Sequence, residues 1–226
     1  MSSRPDDWKQ RRKRFLVDGI PRSPRELVKS LVVLGGLREL GWQRSSRERR
    51  SVTRDGVPTP WLTYPALAWL SGRVSRIHTV IEFGAGASTL WFLANGAQVV
   101  SIEHDEAWLR ELEAMLPSAN RELVRVTPDE AGYLQGLDRA DVGRFDLVLV
   151  DGLHREACVR AVMPTLRPDS LLCLDDSQRL EYASSIETLH RAGFKSIGFR
   201  GFAPIVGEYK ETRFFSRALN DWLDPL

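Results

Sequence analysis

The stretch Val80-Ile81-Glu82-Phe83-Gly84-Ala85-Gly86-Ala87-Ser88-Thr89, VIEFGAGAST, decides how the chain is read. A short apolar run ending in an acid and an aromatic residue has the character of a β-strand. Two glycines separated by one residue follow, and they allow the backbone to turn sharply and to touch a ligand. The next residues, TLWFLAN at 89–95, read as a helix whose first N–H groups lack intrahelical partners and can donate to that ligand. Strand, glycine turn and helix in this order open a nucleotide-type βαβ unit.

Outward from this point, short apolar runs alternate with amphipathic stretches. The pattern predicts strands at 78–83, 98–102, 122–126, 145–150, 171–174, 195–200 and 212–217, and helices at about 88–96, 106–116, 154–166 and 178–192. Such alternation defines an α/β protein with a doubly wound, mostly parallel, seven-stranded sheet. Ligands of these sheets collect beyond the carboxyl ends of the strands, where the strand order reverses. The second apolar run, QVVSIE, ends in Glu103. An acid at the tip of the second strand is placed to accept both hydroxyls of a ribose, so the group expected against Gly84 and Gly86 is a nucleoside. A dinucleotide fingerprint requires a third glycine where this chain has Thr89, which disfavours NAD and an NAD-dependent oxidoreductase.

The near-neutral net charge of +2 conceals an asymmetry. Residues 1–55 hold 15 Lys/Arg against 7 Asp/Glu, so a basic arm precedes an acidic body. Within it, SPRELVKSLVVLGGLREL opens with the Ser23/Glu26 spacing of a capping box and Pro24 at the first helical position, predicting a helix to about Leu40. The division expected is a basic, helical N-terminal extension, 1–55, and a ligand-binding domain, 56–226. The apolar stripe of that helix could cover the chain's own core, a second copy in a homodimer, or a membrane surface in peripheral contact. The basic runs KQRRKR and RSSRERR suit solvated surface, anionic lipid or an acidic substrate; no RNA-binding or zinc-finger signature accompanies them, so nucleic acid is disfavoured. These features define a second class of function, a nucleoside-binding protein that docks on a membrane or partner without catalysis. No apolar stretch approaches the roughly 20 residues that span a bilayer, and the first residues lack a secretory signal, so a cytoplasmic location is expected. Cys158 and Cys173 lie in apolar sequence without metal-ligand spacing and read as buried, inert thiols.

VIEFGAGAST followed by SIEHD resembles motif I and the second-strand acid of class I S-adenosylmethionine-dependent methyltransferases. The resemblance implies S-adenosylmethionine as cofactor, with Glu82 near its methionine end, Gly84, Gly86 and Ser88 passing beneath it, Glu103 on the ribose and Asp129 toward the adenine. FDLVLVDGLHREACV and SLLCLDDSQR place Asp151, Asp175 and Asp176 at adjacent strand tips, where carboxylates could ligate a hard dication such as Mg²⁺ or merely cap helices. This arrangement is similar to catechol-type O-methyltransferases, whose metal ligands are one acid and a following Asp-Asn pair; here Asp176 stands at the position of the Asn. Their base lies three residues beyond the first acid, which implies His154, assisted by Asp151, as the catalytic group. GVPTPWLTYPALAWL, DDSQRLEY and GFAPIVGEYKETRFF look like segments of a poorly characterised bacterial methyltransferase group, over about 56–217. That likeness implies a lid of Trp61, Thr63 and Tyr64 over the cofactor and an acceptor pocket shaped by the loop from Gly201 to Tyr209. The activity expected is O-methylation of a hydroxyl on a small molecule or a glycan intermediate.

Overall fold

The structure is a computed structural model and describes residues 24–117, 119–138 and 144–223. KQRRKR and Ser23 lie outside the described residues. Two compact units divide between Leu40 and Gly41, fifteen residues before the division suggested by charge. The first unit contains helix α1 (Pro24–Glu39), with Arg38 in its last turn. No described helix is long and apolar enough to cross a membrane.

The second unit runs α2 (Trp42–Glu48), α3 (Tyr64–Ser71), β1 (Thr79–Phe83), α4 (Ala87–Ala94), β2 (Gln98–Glu103), α5 (Glu106–Met115), β3 (Arg121–Arg125), α6 (Glu130–Asp138), β4 (Leu147–Val150), α7 (Arg155–Val162), β5 (Leu171–Asp175), α8 (Ala183–Arg191), β6 (Lys195–Gly201) and β7 (Lys210–Ser216). The strands form one seven-stranded sheet in the order β3-β2-β1-β4-β5-β7-β6. β3 through β5 are parallel, and β7 inserts antiparallel between β5 and β6. Every expected strand is present. The helix expected from 178 starts only at Ala183, because Ser177 is first tied to β7: its N–H donates to Glu211 O at 2.9 Å and its hydroxyl to Glu211 Oε1 at 2.8 Å.

The period-two alternation of buried strands sorts residues to the two faces of the sheet. Ile81, Phe83, Val100, Ile102, Val148, Val150, Leu172 and Leu174 share one core with Tyr133, Cys158, Val159, Val162 and Leu189 from α6, α7 and α8. The intervening positions point to the opposite face, so Glu82 and its register partner Ser101 lie on the α4 side, beneath the start of that helix. Cys158 and Cys173 are buried free thiols.

β2 and β3 wind outward from β1 in one direction, β4 and β5 in the other, so the order reverses between β1 and β4. There the two glycines of the opening motif prove to differ. Gly84 has φ +97°, and a Cβ built on it would lie 3.1 Å from both Cα and N of Gly152. A Cβ on Gly152 would in turn lie 3.0 Å from C and O of Phe83. What crowds Gly84 is the chain's own backbone after β4. Gly86 has extended backbone that any residue adopts, and its Cβ would meet only Trp108 Cζ2 at 3.9 Å. Its bareness leaves open space.

Gly84→Ala is expected to destabilise the fold by about 1–3 kcal/mol through strained backbone alone, whereas Gly86→Ala leaves the denaturant midpoint within experimental error. Equilibrium urea unfolding of the two variants checks this; equal losses would remove the distinction.

Candidate active site

A cavity of about 700 Å³ opens over the carboxyl ends of β1, β2 and β4, at the reversal of strand order. Gly84, Gly86 and Ser88 line it from the glycine loop, Glu103, His104 and Trp108 from the β2 side, and Asp151, Gly152 and Arg155 from the β4 side. Arg49–Val52, Trp61 and Ile205 complete the wall. Thus Gly84, Gly86, Ser88, Glu103 and Asp151 come together, whereas Glu82, Thr63, Asp129, His154, Asp175 and Asp176 are outside the lining.

Glu103 is nearly buried and oriented by main chain. Its Oε1 accepts from the N–H groups of His104 at 2.7 Å and Asp105 at 2.9 Å, and its Oε2 accepts from Ala85 N–H at 3.1 Å. The carboxylate thereby locks the glycine loop to β2. Oε2 retains lone-pair capacity for a hydroxyl donor. His104 Nδ1 lies 2.9 Å from Glu103 Oε1 and 2.8 Å from the Tyr133 hydroxyl. Trp108 Nε1 donates to Ala85 O at 2.7 Å, closing the other side of the loop.

Glu82 lies beneath this floor, fully buried. Ser88 and Ser101 hydroxyls donate to it at 2.6 Å each, and Thr89 makes a third such bond. Thr89 Oγ1 also accepts from Gly86 N–H at 2.9 Å, so a glycine at 89 would sever the loop from its buried anchor. Burial pushes the Glu82 carboxyl up to about 7, with the three hydroxyls pulling the other way.

The other expected residues have structural partners. Thr63 is buried against β6 and β7, donating from its N–H to Thr212 Oγ1 and from its hydroxyl to Phe199 O. Asp129 is exposed and accepts from Gly132 N–H at 2.8 Å, an N-cap bond that, together with Thr127, lowers its carboxyl below the ordinary range. His154 is exposed at φ +52°, with Nε2 2.9 Å from Pro128 O. Because a carbonyl only accepts, that nitrogen carries the proton.

The acidic strand tips are closed by cations of the chain. Lys210 Nζ and Thr212 Oγ1 take the two oxygens of Asp175, which is completely buried. Asp176 meets Arg179, Arg155 at 3.5 Å and Lys210 at 3.6 Å. Asp151 Oδ1 is 2.9 Å from Arg155 Nη2. Burial disfavours the charge on Lys210, yet Asp175, Asp151 and Asp176 outweigh it and raise the ammonium's pKa. Three carboxylates already balanced by three cations do not fit a dication, and no group of described His, Cys, Asp or Glu residues is arranged to hold one. The Mg²⁺ site expected at Asp151, Asp175 and Asp176 is therefore corrected to an internal ion-pair cluster. Sequence reading missed two of these cations, Arg155 and Lys210, for different reasons. Arg155 stands at the i+4 helical spacing from Asp151, a readable signal. Lys210 arrives only through the antiparallel β5/β7 register, 35 positions away.

The sheet and the cleft at its reversal have the architecture of the Rossmann-like methyltransferase fold. Residues 81–177 match the model of a family described as "Methyltransferase domain", so the resemblance to class I S-adenosylmethionine-dependent methyltransferases holds over the segment that builds the cleft floor. Cofactor-bound Rv0187 from MTB is similar in structure, with a TM-score of 0.52 and 16% identity over 96% of this chain and 99% of that one. The O-methyltransferase from Bacillus cereus in complex with SAH gives a TM-score of 0.53 and 14% identity over 87% of this chain and 91% of that one. At such identities these likenesses establish the fold. No curated protein matches the chain.

Because Glu82 holds its proton more tightly folded than at its ordinary value of 4.5, its contribution to stability is complete below that pH and is lost as pH rises through about 7. The wild-type-minus-Glu82→Gln difference in unfolding free energy should fall by at most about 3 kcal/mol across this window; a pH-independent difference would exclude the shift. Lys210→Met leaves Asp175 and Asp176 without their shared cation and should destabilise the fold by about 3–5 kcal/mol, as read by urea unfolding.

Proposed function

We propose that this chain transfers the methyl group of S-adenosylmethionine to a hydroxyl oxygen of a small molecule or glycan intermediate, with Asp151 receiving the hydroxyl proton. One arrangement carries this reading: a single cavity joins the open Gly86 position and the ribose-type acid Glu103 to an acid on the opposite strand, Asp151. The cofactor supplies an electrophilic methyl on a sulfonium. Glu103 orients the nucleoside through its free lone pairs, and the glycine loop provides contact without side chains. The remaining task is alignment of the acceptor oxygen and removal of one proton.

Asp151 suits proton removal better than His154. It lines the cavity, and its Oδ2 takes no hydrogen bond among the described residues. Burial and the negative charge of Asp175 raise its carboxyl to about 7, against the pull of Arg155. An acid of that strength is about half ionised at neutral pH, and its ionised form is basic enough to accept a proton as the oxygen attacks. Arg155 holds it in place through its side chain at 2.9 Å and its main-chain carbonyl at 2.7 Å. His154 instead spends its Nε2 proton on Pro128.

Two measurements test this. Gly86→Arg should abolish calorimetric binding of S-adenosylhomocysteine, and retention of full affinity would overturn the cofactor assignment. Asp151→Asn should lower turnover by about 10²–10⁴-fold with cofactor affinity unchanged, and wild-type turnover should decline as pH falls below about 7. A larger loss in His154→Ala than in Asp151→Asn would return the base to His154.

A further inference from the structure

The basic run RSSRERR is not absorbed by the cofactor site, yet its end forms part of the cavity wall. The segment is fixed in place. Gly41, at φ +88°, turns the chain so tightly that a Cβ there would lie 2.5 Å from Thr53 C. Ser45 Oγ then donates to Val52 O at 2.8 Å and accepts from Val52 N–H at 3.1 Å, closing a loop around residues 46–51. Trp42 Nε1 donates to Val206 O at 2.8 Å and Ser46 Oγ to Ile205 O at 3.2 Å, docking α2 on the β6–β7 loop.

Arg49, Arg50 and Ser51 line the cavity from this rigid support. Among the described residues neither guanidinium meets a carboxylate; Arg50 Nη2 touches only Met115 Sδ, at 3.1 Å, on the α5 wall. The neighbouring acid Glu48 is committed to Arg44 at 2.7 Å, and Glu111, one turn before Met115, leaves this end of the cavity with an excess of positive charge. Ser51 is 4% exposed, and its Oγ has no hydrogen-bond partner among the described residues. A buried hydroxyl without a partner is costly unless a ligand or water satisfies it. Two guanidiniums and a hydroxyl donor on one stretch of cavity wall are the groups that bind the oxygens of a carboxylate, phosphate or sulfate.

We propose that Arg49, Arg50 and Ser51 form an oxyanion subsite, and that the methyl acceptor is an acidic compound, carrying a carboxylate, phosphate or sulfate besides the hydroxyl that is methylated. This rests on the methyltransferase reading of the same cavity. The cofactor's own carboxylate has the same chemistry, so the test must separate the two.

Inorganic phosphate is titrated calorimetrically into the full chain saturated with S-adenosylhomocysteine, in wild type and in Arg49→Ala, Arg50→Ala and Ser51→Ala. S-adenosylhomocysteine and methylthioadenosine, which lacks the amino-acid end, are titrated separately into each. The expected result is millimolar phosphate binding by the loaded wild type, weakened at least tenfold in either arginine variant and several-fold in Ser51→Ala, with both nucleosides bound as in wild type. Phosphate that fails to bind the loaded wild type, or binds all variants equally, overturns the subsite. A loss of S-adenosylhomocysteine affinity in Arg50→Ala without loss for methylthioadenosine assigns the arginines to the cofactor and overturns the acidic acceptor. Failure of wild type to bind S-adenosylhomocysteine at all instead removes the underlying methyltransferase reading.

Discussion

The cleft depends on two stretches of main chain meeting without side chains between them. Gly84 and Gly152 stand back to back after β1 and β4, each occupying the space that the other's Cβ would need. That contact sets how closely the strand tips approach at the reversal of strand order. Glu103 adds a second constraint from the β2 side by accepting the Ala85 N–H. Between them the glycine loop is held on both flanks, and Glu82 secures it from below through Ser88, Thr89 and Ser101. A floor made largely of main chain gains rigidity from these side-chain ties in addition to its own hydrogen bonds, such as Gly84 N–H to Ile102 O at 2.8 Å.

Charge is handled differently on the two sides of the cavity. Beyond β4 and β5, carboxylates and cations neutralise one another, and of the three acids there Asp151 lines the cavity with an oxygen that takes no hydrogen bond among the described residues. Along Arg49–Ser51 the guanidiniums have no acidic partner among the described residues, and among these a hydroxyl is left unsatisfied. Salt-bridged groups are poor ligand sites because a ligand must first displace their partners; unpaired ones carry no such penalty. The two ends are thus chemically distinct, which is why proton transfer is proposed at one and an anion at the other.

Much of the fold was legible in the sequence because buried parallel strands are short apolar runs bounded by turn residues. All seven appear where those runs lie, including QVVSIE and FDLVLV. Local spacing also located Gly84, Gly86 and Glu103. It could not separate the roles of the two glycines, since Gly152, the partner of Gly84, follows a strand that is adjacent only after folding. The same limit explains Asp175 and Asp176, which look like metal ligands until the β5/β7 register brings Lys210 to them. His154 and Asp129 were plausible by position along the chain, but a residue's direction at a helix start depends on backbone geometry that sequence spacing does not fix.

Lys210 serves two places at once. Its ammonium neutralises Asp175 inside the sheet and also donates, over 3.1 Å, to the carbonyl of Trp61, a residue that lines the cavity. One stretch of the cleft wall is consequently tied to a charged cluster in the interior, because the same ammonium that neutralises Asp175 also fixes the main chain at Trp61.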